Sequence, residues 1–399
     1  MKILQLTKKF PVPIKDGESL AIISMSKSLS GQDCKIDLFA INTFKHNSDA
    51  KLDHHDLTHY KNIQTVSLDT EINYVSAFKH LVTRRSYNLS RFYKKSISNE
   101  LIQMLKTKSY DIILFETLYM TIYLDDIKRH CDAKLVLRSH NLEYEIWQNL
   151  AHYSEGIKKV YFKACAKGLL KHELNQFDKL DLLIPISETD SIKYEKLGYS
   201  GVRETIPVGV ELISNKQDKD IRSQIKRIGY IGSLDWKPNL EGLNWFFDKI
   251  WNKILQAYPD VEFHLAGRNL EKDNPIVRQK NLVYHGEIED AQAFIADLDI
   301  ILVPLMSGSG IRVKILESMS LGKLVMATDK ALEGIPVENG KHALVFNNAS
   351  ESIQSLGIVY TNVEKRKLIE ENAQKLILKH FDKTILAAKL KNKFLAILN

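Results

Sequence analysis

DIILVPLMSGSGIRVKILESMSLGKLVMAT, residues 299–328, is the stretch of this 399-residue chain that decides its fold. An apolar run at 299–305 leads into a loop of glycine and serine and then into a helical run, and a second apolar run ends the segment. Apolar runs of this length, separated by a helix, predict neighbouring parallel strands joined by a crossover helix. The segment therefore predicts a strand–loop–helix–strand unit of an α/β sheet.

The same alternation of short apolar runs and helical stretches extends in both directions. In the N-terminal half the candidate strands are 2–7, 35–41, 63–68, 111–116, 134–140 and 180–187. Candidate helices include 18–30 and 89–107, and in 89–107 apolar residues recur at three- and four-residue steps. A second series of strands begins near residue 205. Strands that are apolar nearly throughout indicate parallel sheets covered on both faces, so the chain predicts two doubly wound, Rossmann-like α/β domains in tandem.

Length and composition support two domains in a soluble protein. A chain of this length exceeds one ordinary core, and 198–211, which is rich in glycine and turn residues, predicts the linker between domains at 1–200 and 205–379. No apolar run approaches the roughly 18 residues that a membrane span needs, and the first residues predict a strand instead of a signal peptide. The three cysteines are far apart, which indicates free thiols in a reducing cytoplasm, without a disulfide framework or zinc site. They are Cys34, Cys131 and Cys165.

The formal net charge of +7 is concentrated in one segment. Residues 72–108 carry eight lysines and arginines but one acid, Glu100, so the local excess equals the net charge of the chain. Apolar residues interleave with these cations, and such a mixture suits an anionic membrane surface. The alternative is a pair of ordinary helices with solvated cations; nucleic-acid binding is disfavoured because the segment lacks the Gly-rich, aromatic strands of RNA modules. The predicted membrane contacts are Arg84, Arg85, Arg91, Lys94 and Lys95.

The loop at 307–310 has the features of a phosphate site. It follows a strand, and in open α/β sheets ligands bind beyond the carboxyl ends of the strands. Gly308 and Gly310 let an anion approach the backbone closely. A helix beginning near Ile311 would direct its unpaired N–H groups and positive dipole end at the same place.

Three charged side chains follow the loop. Arg312 can grip two phosphate oxygens, and Lys314 adds a point charge. Glu317 would repel phosphate and is better placed for sugar hydroxyls. We interpret the stretch as a site for a nucleotide diphosphate. Taken alone, the pattern is equally compatible with an ordinary glycine loop before a helix with solvated cations.

The stretch 307–328 resembles the donor-binding segment of glycosyltransferase family 4, and most closely the bacterial exopolysaccharide and surface-glycan subgroup with its GSG-x-R-x-K-x-L-E pattern. Other segments resemble the family in the expected order: LRSHNLEYEIW (137–147), PISETDSIKYEKLG (185–198), IPVGVE (206–211), GYIGSLDWKPNLEGLNWF (229–246), FHLAGRN (263–269) and ALEGI (331–335). The resemblance implies a GT-B fold of two Rossmann-like domains, with the last helix, 380–399, crossing back to the N-terminal one. It also implies a retaining sugar transferase that binds a UDP-, GDP- or similar nucleotide sugar mainly in the C-terminal domain and needs no metal ion or cofactor.

Several family positions can be assigned in the C-terminal domain. Glu317 matches the second Glu of the family pair, which implies a contact with the ribose hydroxyls. Ser309 stands where the first Glu would contact the donor sugar. The Arg and Lys that follow the first strand of this domain in the family correspond to the region of Ser233 and Lys237, and the Arg is missing. The two cations after the glycine loop could supply the lost charge.

The resemblance also implies roles for residues elsewhere. His140 matches a family His near the donor sugar and the reaction centre, so His140 and Glu317 are the predicted catalytic residues. Gly17, in KDGES, is what remains of the glycine-rich loop after the first strand and is the expected point of close backbone approach. The loops at Gly267–Arg268 and 285–288 are expected to contact the base. Acceptors of the family are glycans or lipid-linked sugars, which implies a cytoplasmic protein on the inner face of the plasma membrane.

Two patterns that resemble metal sites are interpreted as structural. LDHHDLTHY, residues 52–60, offers three histidines and Asp56 but no firm helical spacing, and it is predicted to be a polar surface loop. Asp297 and Asp299 mimic the Asp-x-Asp motif of a different transferase fold, but they lead into a strand, which favours capping. Trp236 is interpreted as a packing residue and not as a platform for base stacking.

Other functions remain open at the level of sequence. A degenerate family member could bind a nucleotide or a partner protein without turnover, and the serines at 233 and 309 support that alternative. A sugar-nucleotide epimerase would need a set of acid–base carboxylates and histidine, and a phosphorylase would need a lysine for its pyridoxal cofactor. Neither pattern is evident in the chain.

Overall fold

The computed structural model describes residues 1–14, 16–43, 54–69, 87–211, 222–271, 273–308 and 310–399. The chain divides into two compact units. The first unit comprises Met1–Gly209 and Lys383–Asn399, and the second comprises Val210–Asp382. The boundaries expected from the sequence are 1–200 with 380–399, and 205–379.

The first unit is built on a parallel sheet. Within the described ranges its six strands lie in the order β3-β2-β1-β4-β5-β6. The strands are β1 (Lys2–Thr7), β2 (Lys35–Thr43), β3 (Asn62–Leu68), β4 (Ile112–Phe115), β5 (Lys134–Ser139) and β6 (Leu182–Pro185). The helices are α1 (Gly17–Ser30), α2 (Tyr87–Ser90), α3 (Lys95–Thr107), α4 (Leu124–Lys128), α5 (Glu143–His152), α6 (Gly156–Leu174) and α7 (Glu188–Lys196). Short 3₁₀ turns span His55–Leu57, Leu118–Tyr123 and Phe177–Lys179.

The second unit repeats the same architecture. Its described strands lie in the order β12-β11-β10-β7-β8-β9 and all pair in parallel. They are β7 (Arg227–Ile231), β8 (Glu262–Ala266), β9 (Leu282–Gly286), β10 (Ile300–Val303), β11 (Leu324–Ala327) and β12 (Leu344–Val345). The helices are α8 (Lys237–Phe246), continued by a π-helical turn (Phe247–Trp251), α9 (Asn252–Ala257), α10 (Ala291–Asp297), α11 (Val313–Ser320), α12 (Ala349–Val359) and α13 (Val363–Phe381), with a 3₁₀ turn at Pro275–Arg278.

Both faces of each sheet are covered, as the apolar strands predict. The central strands β4 and β10 are buried over their whole length. Successive side chains of a strand point to opposite faces, and in β1 Ile3 joins one apolar core while Leu4 and Leu6 join another. The predicted fold class, two doubly wound α/β sheets, is confirmed.

The predicted continuous helix 89–107 is wrong. Helix α2 ends at Ser90 and α3 begins at Lys95, because the chain turns at Phe92, which is buried in the core. The Tyr123 hydroxyl stabilises this break: it donates to the Phe92 carbonyl at 2.5 Å and accepts from the Lys94 N–H at 3.2 Å. Backbone groups that a continuous helix would satisfy are therefore satisfied by a tyrosine side chain.

The last helix, α14 (Lys383–Leu398), packs within the first unit. Leu386, Leu390 and Phe394 are buried in the same apolar core as Ile23 and Leu29 of α1. The spacing of four residues between these α14 positions places them on one face of the helix. The C-terminal residues thus complete a core that begins at the other end of the chain.

Candidate functional site

The loop between β10 and α11 has the backbone that its glycines predict. Gly308 and Gly310 have φ angles of 98° and 84°, which other residues rarely adopt. The helix begins at Val313, two residues later than expected, because Arg312 is its N-cap and has a φ of −85° and a ψ of 95°. Ile311 is buried in the apolar core beneath the loop and anchors it there.

Arg312 lies against Trp236. Its guanidinium carbon is 5.7 Å from the ring centroid, and 8% of the residue is exposed. A Cβ added to Gly308 would come within 3.0 Å of Arg312 Nη2 and 3.3 Å of the Trp236 ring, so this packing also requires glycine. Burial lowers the pKa of Arg312, against the attraction of Glu333 and Tyr230, but an arginine remains charged. A guanidinium with this little water around it binds anions strongly.

The Lys314 amino group is held by Tyr230. Nζ donates a hydrogen bond of 2.8 Å to the Tyr230 hydroxyl and lies 4.1 Å from the ring centroid. Burial and the nearby Arg312 charge lower the pKa of Lys314 to about 7, against the attraction of Glu317. Because a bound anion favours the protonated amine, Lys314 can gain a full charge when a diphosphate arrives.

Glu317 lies one turn after Lys314 on the same face of α11. Burial raises its pKa to about 7, and Lys314 opposes that shift. A carboxyl group that is half-neutral near pH 7 repels an anion less than an ordinary Glu does, and it can donate as well as accept hydrogen bonds to hydroxyl groups. This protonation equilibrium removes much of the repulsion between Glu317 and phosphate that the sequence led us to expect.

Ser233 occupies the turn after β7 and binds a cation from the next strand. Its hydroxyl donates to Asp235 at 2.5 Å and accepts from Arg268 Nε at 3.2 Å. The Asn239 side-chain amide donates to the Ser233 carbonyl at 2.7 Å and ties the turn to α8. This chain lacks the arginine that the family pattern has at this turn, but Arg268, from the loop after β8, places a guanidinium beside Ser233.

These side chains meet where β10, β7 and β8 end. The strand order reverses between β7 and β10, and in α/β sheets such a switch point opens a crevice for ligands. A Cβ added to Gly232 would lie 2.6 Å from Lys314 Nζ, so the turn after β7 touches α11. Arg312 and Lys314 lie in the first turn of α11 and Arg268 is bound at the adjoining turn after β7, and we call these three cations the basic site. Lys237 begins α8 at the same edge and is exposed.

Sequence reasoning missed two aromatic residues of the basic site. Trp236 is 41% exposed, and its ring packs against Arg312 at the surface instead of in the apolar core. Tyr230 is an inward-facing residue of β7, and nothing in GYIGS distinguishes its hydroxyl from that of any core tyrosine. Ser309 lies outside the described residues, and its contact with a donor sugar stays a prediction.

His140 lies at the carboxyl edge of the first unit's sheet. It follows β5 and is buried, with Nε2 2.9 Å from Glu116 Oε2. Glu116 directly follows β4 and is fully buried. It also accepts hydrogen bonds from Gln5 Nε2 at 2.5 Å and Arg138 Nη1 at 3.2 Å. The sequence analysis did not single out Glu116, although an acid that ends the apolar strand IILF was a visible signal.

Gly17 is the first residue of α1, and the segment before it is charged. Asp16 caps the helix by accepting from the Ser19 N–H at 2.9 Å, and Lys9 Nζ lies 2.6 Å from Asp16. Lys8 Nζ lies 3.0 Å from Glu18. Gly17, where a ligand is expected to approach the backbone closely, therefore lies at an N-capped helix terminus next to two ion pairs.

One group of described residues has the spacing of metal ligands. Ligand atoms of His54, His55 and Asp56 lie within 4.8 Å of one another. Lys27 Nζ is 2.5 Å from the Asp56 carboxylate, so an ammonium group already compensates that charge. His59 does not join the group and instead hydrogen-bonds to a serine of α1 at 2.8 Å.

Asp297 and Asp299 hold the start of β7. The Asp299 carboxylate accepts the backbone N–H groups of Lys226 and Arg227 at 2.8 and 2.9 Å. Arg222 contacts both acids, at 3.2 Å and 2.9 Å. This arrangement fits the interpretation that the pair is structural, since the carboxylates already have cationic and backbone partners.

Within the charge-rich segment 72–108, which we call the basic segment, the structure describes only the residues from 87 onward. Arg84 and Arg85 therefore lie outside the described residues, whereas Lys94 and Lys95 are exposed and Arg91 is half-buried. Leu89 and Phe92, two of the apolar residues interleaved with these cations, are buried in the core and do not face a membrane surface. No helix in the described parts of the chain is both long enough and apolar enough to cross a bilayer.

A cleft of about 650 Å³ lies elsewhere in the second unit, beside β12. Its polar lining groups largely bond to one another: Asn347 pairs with Asp329 at 2.8 Å, and the Val345 N–H donates to Asn339 at 2.9 Å. None of the site residues predicted from sequence lines this cleft.

Comparison with known families and proteins gives a match in the second unit. Residues 225–362 match the family model described as glycosyl transferases group 1. A Klebsiella pneumoniae protein, described as an uncharacterized 44.6 kDa protein in the cps region, is 26% identical over 289 residues, which cover 69% of this chain and 72% of that protein. Residues 225–362, which match the family model, contain the whole basic site.

Solved structures are similar over nearly the whole chain. Anabaena HepE, in a structure with UDP and glucose, superposes with a TM-score of 0.67 at 16% identity and covers 99% of this chain and 100% of its own. Sucrose-phosphate synthase from Thermosynechococcus elongatus superposes with a TM-score of 0.72 at 13% identity and covers 100% and 99%. At these identities the likeness concerns the fold, and the GT-B fold expected from the sequence is confirmed.

Proposed function

We propose that this chain, which has the GT-B fold and matches glycosyl transferases group 1 over residues 225–362, is a retaining, metal-independent glycosyltransferase of surface-polysaccharide synthesis. The observation that carries the proposal is the basic site at the N-terminus of α11. Arg312 and Lys314 lie there at the positive end of the helix dipole, with Arg268 at the neighbouring turn after β7, and the described acids around this group include Asp235, Glu241 and Glu333. A nucleotide diphosphate is the ligand that such a site suits.

The basic site would act on the leaving group. In the transfer, the bond from the anomeric carbon to the phosphate oxygen breaks and a bond to the acceptor hydroxyl oxygen forms, while the hydroxyl proton leaves to the departing diphosphate or to water. Negative charge grows on the diphosphate as the first bond breaks. Fixed cations and helix N–H groups stabilise that charge in the transition state, and loss of one such group typically costs about a hundredfold in rate.

We take a UDP-sugar as the donor. The HepE structures contain UDP, UDP with glucose, or UDP-glucose, and HepE shares the fold of this chain. Glu317 would bind the ribose hydroxyls, and Trp236, exposed beside Arg312, offers an aromatic face close to the diphosphate. The identity of the transferred sugar would depend on the loop around residue 309.

The proposed acceptor is a glycan or a lipid-linked sugar at an anionic membrane surface. The similarity to a protein in a cps region supports a role in surface-glycan synthesis. Lys94 and Lys95 are exposed in the basic segment. On α6, Ile157 is 88% exposed and stands next to two exposed lysines, so the first unit also presents an apolar side chain that could enter a membrane interface.

The proposal is tested by thermal-shift measurements with UDP, GDP and their sugar derivatives, followed by a transfer assay with the nucleotide sugar that stabilises most. We expect stabilisation by UDP-glucose or another UDP-sugar in the parent protein and its loss in Arg312→Ala. If no nucleotide diphosphate stabilised the parent, the assignment of the basic site would be wrong.

A second candidate is a nucleotide-binding relative without turnover. Ser233, which stands where the family has a charged residue, favours it. The two candidates differ in one result, because a degenerate member would bind the UDP-sugar and yet release no UDP from it in the presence of any acceptor.

A further inference from the structure

A buried carboxylate is fixed next to His140. Glu116 Oε2 is 2.9 Å from His140 Nε2, and the same carboxylate is bound by Gln5 at 2.5 Å and by Arg138 at 3.2 Å. Gln5 belongs to β1 and Arg138 to β5, the two strands that flank β4. The carboxylate is therefore clamped between neighbouring strands of a rigid parallel sheet.

The partners of Glu116 keep it ionised. Burial raises the pKa of this carboxyl, but Arg138, His140 and Gln5 together lower it by more, so that it lies below its ordinary value. An ionised carboxylate can only accept hydrogen bonds. Nε2 of His140 must then carry a proton, and in the neutral imidazole Nδ1 is the nitrogen with the lone pair.

We propose that Glu116 is a positioning residue for His140: clamped by Gln5 and Arg138, it fixes the imidazole in the Nε2–H tautomer and presents Nδ1 at the carboxyl edge of the sheet. The proposal rests on the proposed function, in which His140 contacts the donor sugar. A histidine that acts on a substrate commonly depends on such a partner, because the partner sets which nitrogen is protonated and how the ring is oriented. Glu116 would thus be needed for turnover without touching the substrate.

Other charged groups surround the pair. Arg138 of β5 is 3.2 Å from the Glu116 carboxylate. Glu18 of α1 is close enough to His140 for the imidazole to lower the pKa of Glu18, after the larger effects of burial, Lys8 and Lys9. Lys8, which pairs with Glu18, also lies 3.9 Å from the carboxylate of Glu143 of α5. Of these groups, Glu116 is the one that hydrogen-bonds to the His140 imidazole, so Glu116 sets the tautomer. The other charges change only the electrostatic potential around the imidazole.

The test is a nitrogen-15 NMR measurement of the imidazole, together with kinetics. In protein with labelled histidine, the His140 signals are those missing from His140→Ala. We expect the Nε2–H pattern in the parent protein and a loss of that preference in Glu116→Gln, whose amide can donate to Nε2. In the transfer assay kcat should fall on the order of a hundredfold, whereas the affinity for UDP should stay unchanged because UDP binds the other unit.

Two further variants separate positioning from structure. Asp37→Asn is the matched control, since Asp37 is a buried carboxylate near the start of β2 with three donors, Asn62, Lys108 and Tyr110. It should leave the His140 signals and kcat as in the parent. Glu116→Asp keeps the charge beside Arg138 if Glu116→Gln fails to fold, and it should weaken the tautomer preference because its carboxylate is one methylene further from the ring.

The outcomes distinguish this inference from the proposed function. An unchanged His140 tautomer in folded Glu116→Gln or Glu116→Asp would overturn the positioning role, whatever the kinetics. If the tautomer changed as expected but no nucleotide sugar were ever turned over, Glu116 would still position His140 and the proposed function would be wrong. If the His140 tautomer changed and kcat did not, His140 would not take part in the reaction.

Discussion

At the scale of the residue, Arg312, Lys314 and Glu317 derive their properties from burial as much as from their side-chain type. All three would be ordinary surface charges on an exposed helix. In the basic site burial lowers the pKa of Arg312 and of Lys314 and raises that of Glu317, so the unliganded site carries less charge than the sequence suggests. A site of this kind responds to an anion by taking up protons.

Arg312→Ala should reduce transfer by about a hundredfold or more while the fold stays intact, because it removes a desolvated cation next to the leaving diphosphate. Glu317→Ala should cause a similar loss through the ribose contact. The measurement is the initial rate with a UDP-sugar, with circular dichroism as the check of folding. Arg278→Ala, which removes an exposed arginine of the same unit, is the control and should retain parental activity.

The affinity for UDP-glucose should fall as the pH rises from about 7 to 9. Lys314 has a pKa of about 7, so it is charged below that pH and neutral above it, and an anion that binds the charged form loses up to about tenfold in affinity per pH unit. Glu317, with a pKa of about 7, ionises over the same range and acts in the same direction. Calorimetric titration should show that the affinity for UDP-glucose depends less on pH in Lys314→Met than in the parent, and that part of the pH dependence remains in Glu317→Gln. If the affinity of Lys314→Met fell with pH as steeply as that of the parent, another titrating group would be responsible for the pH dependence.

At the scale of the element, packing decides what a charged amphipathic segment can do. The apolar face of α3 and the turn before it joins the core of the first unit, so only the cations of this segment face water. In helix α14 the apolar face is likewise covered, since Leu386, Leu390 and Phe394 are buried in the core that α1 shares. The partner surface, and not the pattern alone, determines which side chains are covered.

Binding to vesicles that contain anionic lipid should weaken when Lys94 and Lys95 become Glu together with Arg84 and Arg85, and it should weaken as salt rises. Each Lys or Arg near anionic headgroups contributes about 1 kcal/mol, and salt screens that attraction. Vesicle co-sedimentation measures the effect. The control reverses Lys249 and Lys253, two exposed lysines of the other unit. If the parent and the charge-reversed protein sedimented equally little, a soluble acceptor would be the better hypothesis.

Phe394→Ala should destabilise the first unit by about 3–5 kcal/mol, because it leaves a cavity in a core shared with α1. Hydrogen exchange in peptides of β1 and α1 should accelerate. Leu395→Ala changes the adjacent residue, which is 43% exposed, and should stay within about 0.5 kcal/mol of the parent. Equal effects of the two substitutions would mean that α14 does not pack as described.

At the scale of the whole molecule, each unit supplies one part of the proposed chemistry. The second unit holds the basic site at the carboxyl ends of β7, β8 and β10, and the first unit holds His140 and Glu116 at the carboxyl ends of β5 and β4. Both parts depend on the same property of parallel sheets, whose strand ends bring residues from distant positions of the chain to one edge.

Transfer should persist in excess EDTA, because the cations and the helix N-terminus of the basic site can stabilise the diphosphate without a metal ion. The measurement is the rate before and after chelation, and then after addition of magnesium or manganese. Complete loss on chelation, followed by recovery with either metal, would contradict the metal-independent proposal and direct attention to His54, His55 and Asp56.

The sequence by itself determined the architecture and much of the basic site. Near-continuous apolar strands are sufficient to predict parallel sheets, and SGSGIRVK is sufficient to predict a glycine loop followed by a helix with two cations near its start, because both signals are local in the chain. Only the tertiary structure decided that helix 89–107 is broken, that Trp236 stands exposed beside Arg312, and that Tyr230 holds the Lys314 amino group. It also decided that Glu116 meets His140, 24 residues apart in sequence. Contacts of this kind depend on which strands become neighbours and on what each residue buries, and no local pattern carries that information.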